Sequence, residues 1–277
     1  MRLDLPDSIT ADQLDADALA ELRTLPGDLA DAVARLLVAT SLADDSDLAY
    51  QYAKKARGLA ARVGVVRETC AIAAYQAGEW SAALTEFRAA RRMTGRSSYL
   101  PLMADCERAL GRLDRALDLV TGPEARSAEP ATKIELRIVE SGIRRDQGHL
   151  GAALVALQGP ELTSAGRPRP EYARLYYAYA DTLLELGRED EAHEWFGRAA
   201  GADVDGETDA VDRYEDLDEF GFDDLDDDAL EGQADDQEDR EPGDDMETDD
   251  DRESGEDRES GEDRLPDADR ETGDDRG

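Results

Sequence analysis

His149 and His193 are the only histidines of this 277-residue chain, and Cys70 and Cys106 are its two cysteines. An imidazole within reach of a serine or cysteine would supply the base that activates a nucleophile. Neither histidine stands at a recognisable spacing from such a partner. His149 follows a glycine at a turn and is expected to be exposed. His193 follows Ala192 on a helical pattern and is expected to be solvated or packed. The cysteines show neither zinc-ligand spacing nor a disulfide framework, so they are predicted to be free, buried thiols. No GxGxxG, Walker A or HExxH stretch is present.

Two further groupings carry charge in a pattern. "DVDGETD" (203–209) alternates acids around a glycine, as a calcium loop does. No glutamate follows at the distance that would close such a loop, and the same acids would favour the positive end of a following helix. No metal or other cofactor is expected. The second grouping is basic. Lys54, Lys55, Arg57 and Arg62 fall on one helical segment, and Arg88, Arg91, Arg92 and Arg96 on another. They read either as cations at helix C-termini on a solvated face or as a strip that holds an acidic partner or the chain's own acidic tail.

The elements that must position these residues repeat. Gly78, Gly111, Gly148 and Gly187 each end one helical pattern and precede another. Five residues on stands a small residue, Ala83, Ala116, Ala153 or Ala192. Four further on stands a large one, Phe87, Val120, Leu157 or Phe196. A weaker copy precedes them, with Asp44 at the turn, Ala49 at the small position and Ala53 at the large one. The turn residues recur at about 34, 33, 37 and 39 residues, a period that signals a solenoid. The glycine suits a left-handed turn, the alanine lets two helices approach closely, and the large residue fills the space towards the next hairpin. One helical turn before each glycine stand Ala74, Glu107, Arg144 and Leu183, an inward position where two of the four are polar. "VTGPEARSAEP" (120–130) and "QGPELTSAGRPRP" (158–170) read as inserted loops.

On these residues the chain resembles tetratricopeptide repeat (TPR) proteins over about residues 28–203, most closely in 64–97 and 173–203. At a finer level it resembles actinobacterial repeat proteins whose array ends in a segment like "DVDGETDAVDR" (203–213), a group for which the resemblance implies no activity. The resemblance implies an all-α, right-handed α-solenoid of about five TPR-like helix hairpins. It also implies that the first helix of each hairpin lines a concave groove that binds a peptide. By register, Glu68, Ile72, Tyr75, Gln76, Asp105, Arg108, Arg145, Arg174, Tyr177 and Asp181 would face that groove. The carboxylate clamp of some family members uses asparagine. This chain contains none, so that clamp is absent in its usual form.

The remaining organisation follows from composition. Residues 1–27 form an N-terminal segment with a short helix over about Asp17–Leu25, residues 28–203 the array, and 204–219 a capping helix. In the cap, Thr208 is a candidate N-cap, and Val211, Tyr214 and Leu217 form a stripe that seals the last apolar face. Of the formal charge of −36, about −30 falls from Asp203 onward, where roughly 37 acidic residues meet 7 basic ones. Residues 220–277 are accordingly expected to be a disordered acidic tail, with "FGFDDLDDDAL" (220–230) a candidate docking segment. "MRLDLPDSIT" contains no apolar signal core, and no stretch reaches the length of a membrane span. These features point to a cytoplasmic protein. The combined reading is a non-enzymatic interaction scaffold with a protein or peptide partner, tuned by its tail. The alternative is an RNA-associated protein that uses the basic stripe while the tail mimics a polyanion.

Overall fold

Gly78, Gly111, Gly148 and Gly187 take φ of 71°, 71°, 75° and 71° in the computed structural model, which describes residues 5–163 and 169–226. A Cβ disfavours this left-handed region, and glycine adopts it freely. At all four the next N–H reaches back across the turn. Glu79 N donates to Ala74 O at 2.8 Å, Arg112 N to Glu107 O at 2.9 Å, His149 N to Arg144 O at 2.8 Å and Arg188 N to Leu183 O at 3.0 Å. This six-to-one bond satisfies a carbonyl that the end of a helix would otherwise leave bare. The same closed turn therefore ends the first helix of four hairpins.

The hairpins are α4 (Gly64–Gln76) with α5 (Trp80–Thr94), α6 (Leu100–Ala109) with α7 (Leu113–Thr121), α9 (Pro130–Asp146) with α10 (Leu150–Leu157), and α12 (Ala173–Glu185) with α13 (Glu189–Ala202). The first hairpin is α2 (Gly27–Leu42) with α3 (Ser46–Ala60). It has no turn glycine. Instead the Asp45 carboxylate accepts from Leu48 N at 2.7 Å and caps α3. Helices pack on their sequence neighbours, and α6, α9 and α12 also touch one another in succession. That is the contact order of a stacked all-α solenoid, built of five helix hairpins as expected.

The repeat positions are buried as the pattern predicts. Ala83, Ala116, Ala153 and Ala192 are fully enclosed, as are Phe87, Leu157 and Phe196, and Val120 is nearly so. Ala49 and Ala53 occupy the same places in the first hairpin and are also buried. The exception at the turn is informative. Glu107 stands where Ala74 and Leu183 stand in their repeats, and only 1% of it is exposed. Arg88 and Arg112 enclose it, at 2.6 and 3.2 Å.

The joints between hairpins differ from the sequence reading. The N-terminal helix α1 runs over Ala16–Leu22, capped by the Asp15 carboxylate. The first inserted loop folds a short helix, α8 (Pro123–Ser127), because Ala125 and Ala128 find cover in the core. The second contains α11 (Pro160–Thr163), which Arg137 holds by donating to Glu161 at 2.7 Å and to the Leu157 carbonyl. The terminal helix α14 (Ala210–Asp226) continues past 219, where the array was expected to give way. The rest of the expected acidic tail lies outside the described residues.

Within α14 the sealing stripe also shifts. Tyr214 and Leu217 pack on the last hairpin, but Val211 is largely exposed, and Ala210 takes the buried place. Thr208 donates its N–H and its hydroxyl to Asp203, each at 2.7 Å, and Ala210 N reaches Thr208 Oγ1 at 3.4 Å. His193 stacks flat on Tyr214, with ring centroids 4.2 Å apart, and its Nε2 lies 3.1 Å from Asp218. Gly197 makes this fit possible, because a Cβ there would lie 2.9 Å from Tyr214 Cε2. Gly197→Ala should gain roughly 0.5–1 kcal/mol of helix propensity, yet the clash costs about 1–3 kcal/mol. The expected outcome is faster hydrogen exchange confined to residues 210–218. Slower exchange there, with a raised melting temperature, would show that Tyr214 does not pack this closely.

Candidate functional site

The hairpin register builds a ladder along the first helices. The residue three before one turn glycine reaches towards the residue six before the next. Tyr75 donates its hydroxyl to Asp105 at 2.5 Å. Arg108 holds Asp105 of its own helix at 2.8 Å and Asp146 of the next hairpin at 3.1 Å. At the equivalent of Asp105 in that hairpin stands Gly142, and the Arg108 side chain lies against it. Arg145 then pairs with Asp181 at 2.6 Å and with Glu185, its Nε at 2.9 Å. Arg213 of the cap closes the series on Asp181 at 3.1 Å. Charge-assisted pairs of this kind fix the geometry of neighbouring elements as well as stabilising them.

The ladder forms the floor of a groove of about 960 Å³. Of the ten residues assigned to the groove by register, Tyr75, Asp105, Arg108, Arg145, Arg174, Tyr177 and Asp181 line it. Glu68, Ile72 and Gln76 do not. Glu68 pairs with Arg96 at 3.0 Å, and Ile72 and Gln76 are exposed on the first repeats beyond the groove. The structure adds Glu135, Ile138, Gly142 and Asp146 from α9, Glu185 from α12, and Glu207 and Asp209 from the loop before the cap. The α9 residues share the register of those already named, so the repeat alone could have identified them. The loop contribution could not be read that way.

The added residues change the sign of the groove. Asp105, Glu135, Asp146, Asp181, Glu185, Glu207 and Asp209 outnumber Arg108, Arg145 and Arg174. The groove is acidic rather than evenly mixed. Burial, with the Asp209 carboxylate beside it, pushes the Tyr177 hydroxyl up to about 12. Burial and its bond to Asp105 likewise raise Tyr75. Both phenols are neutral donors at physiological pH.

Of the basic stripe, Lys54, Lys55 and Arg57 lie on α3 and Arg88, Arg91 and Arg92 on α5, whereas Arg62 and Arg96 fall beyond the ends of those helices. Carboxylates occupy much of the stripe. Arg57 reaches Glu86 at 3.3 Å, and Arg67 reaches the same group at 2.5 Å. Arg88 holds Glu107, Arg91 pairs with Glu124, and Arg96 with Glu68. Lys54 lies over the Tyr50 ring at 5.6 Å. Arg62 and Arg92 are exposed, and Lys55 is engaged as well. Several of these cations compensate buried Glu86 and Glu107 and so offer a reduced field to an outside anion.

The remaining chemistry-bearing groups have structural surroundings. Asp203 accepts from Glu207 N at 2.8 Å and from Thr208, so its oxygens bind their own loop. Among the described residues no cluster of His, Cys, Asp and Glu is arranged to hold a metal ion. Burial pushes the Cys70 thiol up to about 11 and the Cys106 thiol up to about 12, so neither is a nucleophile at neutral pH. Among the described residues no helix is long and apolar enough to cross a membrane.

Among solved structures, the chain is similar to TTC0263, a thermophilic TPR protein of Thermus thermophilus. Identity is 21%, the match covers 66% of this chain and 95% of that one, and the TM-score is 0.49. No protein-family model matches the chain, and no curated protein matches it.

Proposed function

We propose that this chain is a non-enzymatic interaction module whose concave groove holds an extended segment of a protein partner. One observation carries the reading: a groove of about 960 Å³ whose floor is a pre-formed ladder of ion pairs, with Tyr75 and Tyr177 in its lining. Ordered side chains cost little further entropy when a ligand binds. Tyrosine offers a large contact face and a polar tip, the combination enriched where binding energy concentrates. The alternative on the basic stripe, RNA, is less well supported, because Glu86, Glu107, Glu124 and Glu68 already occupy Arg57, Arg88, Arg91 and Arg96.

The test begins with a random peptide library panned on the full chain, followed by photo-crosslinking of the selected peptides. Crosslinks are expected in α6, α9 and α12, and Tyr177→Ala is expected to weaken binding by about 2 kcal/mol, the scale of an interface hot spot. Crosslinks confined to the second helices, with Tyr177→Ala binding like the parent, would refute the groove.

A further inference from the structure

Not all of the groove's carboxylates are equal. Asp105 and Asp146 share Arg108, while Asp181 and Glu185 share Arg145. Those four belong to the ladder and hold the repeats together. At the other end of the first helices, Glu135 and Glu207 face the groove with Arg174 as the nearby cation. Arg174 meets Glu135 by one contact at 3.2 Å, and its side chain is 54% exposed. A single contact made by a mostly exposed arginine to a half-buried carboxylate contributes little, so displacing it is cheap.

Beside Glu135 the surface opens into a second hollow of about 410 Å³, lined by Pro101, Pro130, Ile134 and Tyr172 and edged by Glu135 and Glu171. Its wall is mostly hydrocarbon, and of its two rim carboxylates Glu171 is paired with Arg169 at 3.6 Å, which leaves Glu135 as the one facing the groove. Glu135 belongs to both this hollow and the groove. A lysine or arginine side chain has the matching build, because its methylene stem buries along apolar surface while its head keeps a polar partner.

We infer that the segment held in the groove is cationic, and that one of its lysine or arginine side chains lays its stem in the Pro101–Pro130–Ile134–Tyr172 hollow and pairs its head with Glu135 in place of Arg174. This inference rests on the groove reading above and specifies its ligand. The Glu135 carboxyl is raised from its ordinary value by burial, and Glu207 adds to the shift against the opposing effect of Arg174. The carboxylate is thus poorly compensated by Arg174, and a cation seated more closely than Arg174 would relieve it. The groove is acidic as a whole, and the chain from Asp203 onward carries about −30. The groove's own charge would steer a cationic segment inward and repel an anionic one.

The test uses fluorescent, unstructured peptides identical except at one central position, which carries lysine, arginine, norleucine or glutamate. Anisotropy is read against the full chain, with crosslinking to locate each peptide. The lysine and arginine peptides are expected to bind about tenfold tighter than the norleucine peptide, and Glu135→Gln should abolish that gap. The tail is unchanged in this variant, so capture by the tail cannot produce the loss. Arg174→Gln should act in the opposite direction and tighten the lysine peptide several-fold, which keeps the test decisive if Glu135→Gln folds poorly. A norleucine peptide that crosslinks in the groove and binds as tightly as lysine would overturn the cationic subsite and leave the groove standing. Lysine selectivity that survives Glu135→Gln would overturn the subsite too and assign the selectivity to the tail. Crosslinks outside the groove for every peptide would overturn the groove itself.

Discussion

Replacing Arg88 and Arg112 together with methionine should destabilise the array by about 3–5 kcal/mol, the cost of leaving a buried charge uncompensated. Glu107 is 1% exposed, and these two guanidinium groups are its charged partners, at 2.6 and 3.2 Å. Methionine preserves most of the apolar stem that each arginine lays on the surface, so the loss reports the stranded carboxylate rather than lost packing. Glu107→Leu in the same background should recover most of it, because the register position that holds Glu107 holds Leu183 in the last repeat. Glu107→Leu alone should be neutral or stabilising, as replacement of buried ion pairs by hydrocarbon often is. Chemical unfolding followed by circular dichroism measures all three. A double variant that unfolds with the parent would show that water rather than arginine compensates Glu107.

Phe196→Ala should cost about 3–5 kcal/mol, the range for deleting a buried ring. Its ring is fully enclosed, meets Tyr177 edge-on with centroids 5.5 Å apart, and lies 5.0 Å from the Arg213 guanidinium. One side chain therefore supports a groove tyrosine and the cap residue that ends the ladder on Asp181. The loss should appear in peptide affinity as well as in stability. Gly197→Ala, which disturbs Tyr214 of the same cap, should leave Tyr177 in place and change affinity less. A Phe196→Ala variant with normal affinity at a temperature where it is fully folded would show that groove and core are independent.

The repeat was legible in the sequence because each of its constraints is local. A left-handed turn selects glycine at Gly78, Gly111, Gly148 and Gly187 whatever surrounds it. Close helix approach selects alanine five residues on, and the gap to the next hairpin selects Phe, Leu or Val four residues after that. The helices between these points follow from counting, and so do the groove positions Tyr75, Asp105, Arg108, Arg145, Arg174, Tyr177 and Asp181, although the same count also puts Glu68, Ile72 and Gln76 there, which do not line the groove. The short helix α8 was hidden because "PEARS" has no periodicity of its own; burial of Ala125 and Ala128 stabilises it.

Which charge meets which was not legible. Asp146 lies 38 residues from Arg108 and Glu185 lies 40 from Arg145, so each pair forms only when the hairpins stack. The sequence shows Arg57 and Arg88 as a free basic stripe, and stacking delivers Glu86 and Glu107 beneath them. Only stacking also brings the 203–209 loop against α9, placing Glu207 near Glu135 and adding Glu207 and Asp209 to the acidic side of the groove. Turns and helix faces are set by the conformational energy of adjacent residues, which the chain carries wherever it is. The sign of a surface is set by distances between residues far apart in the chain, and those distances exist only in the folded array.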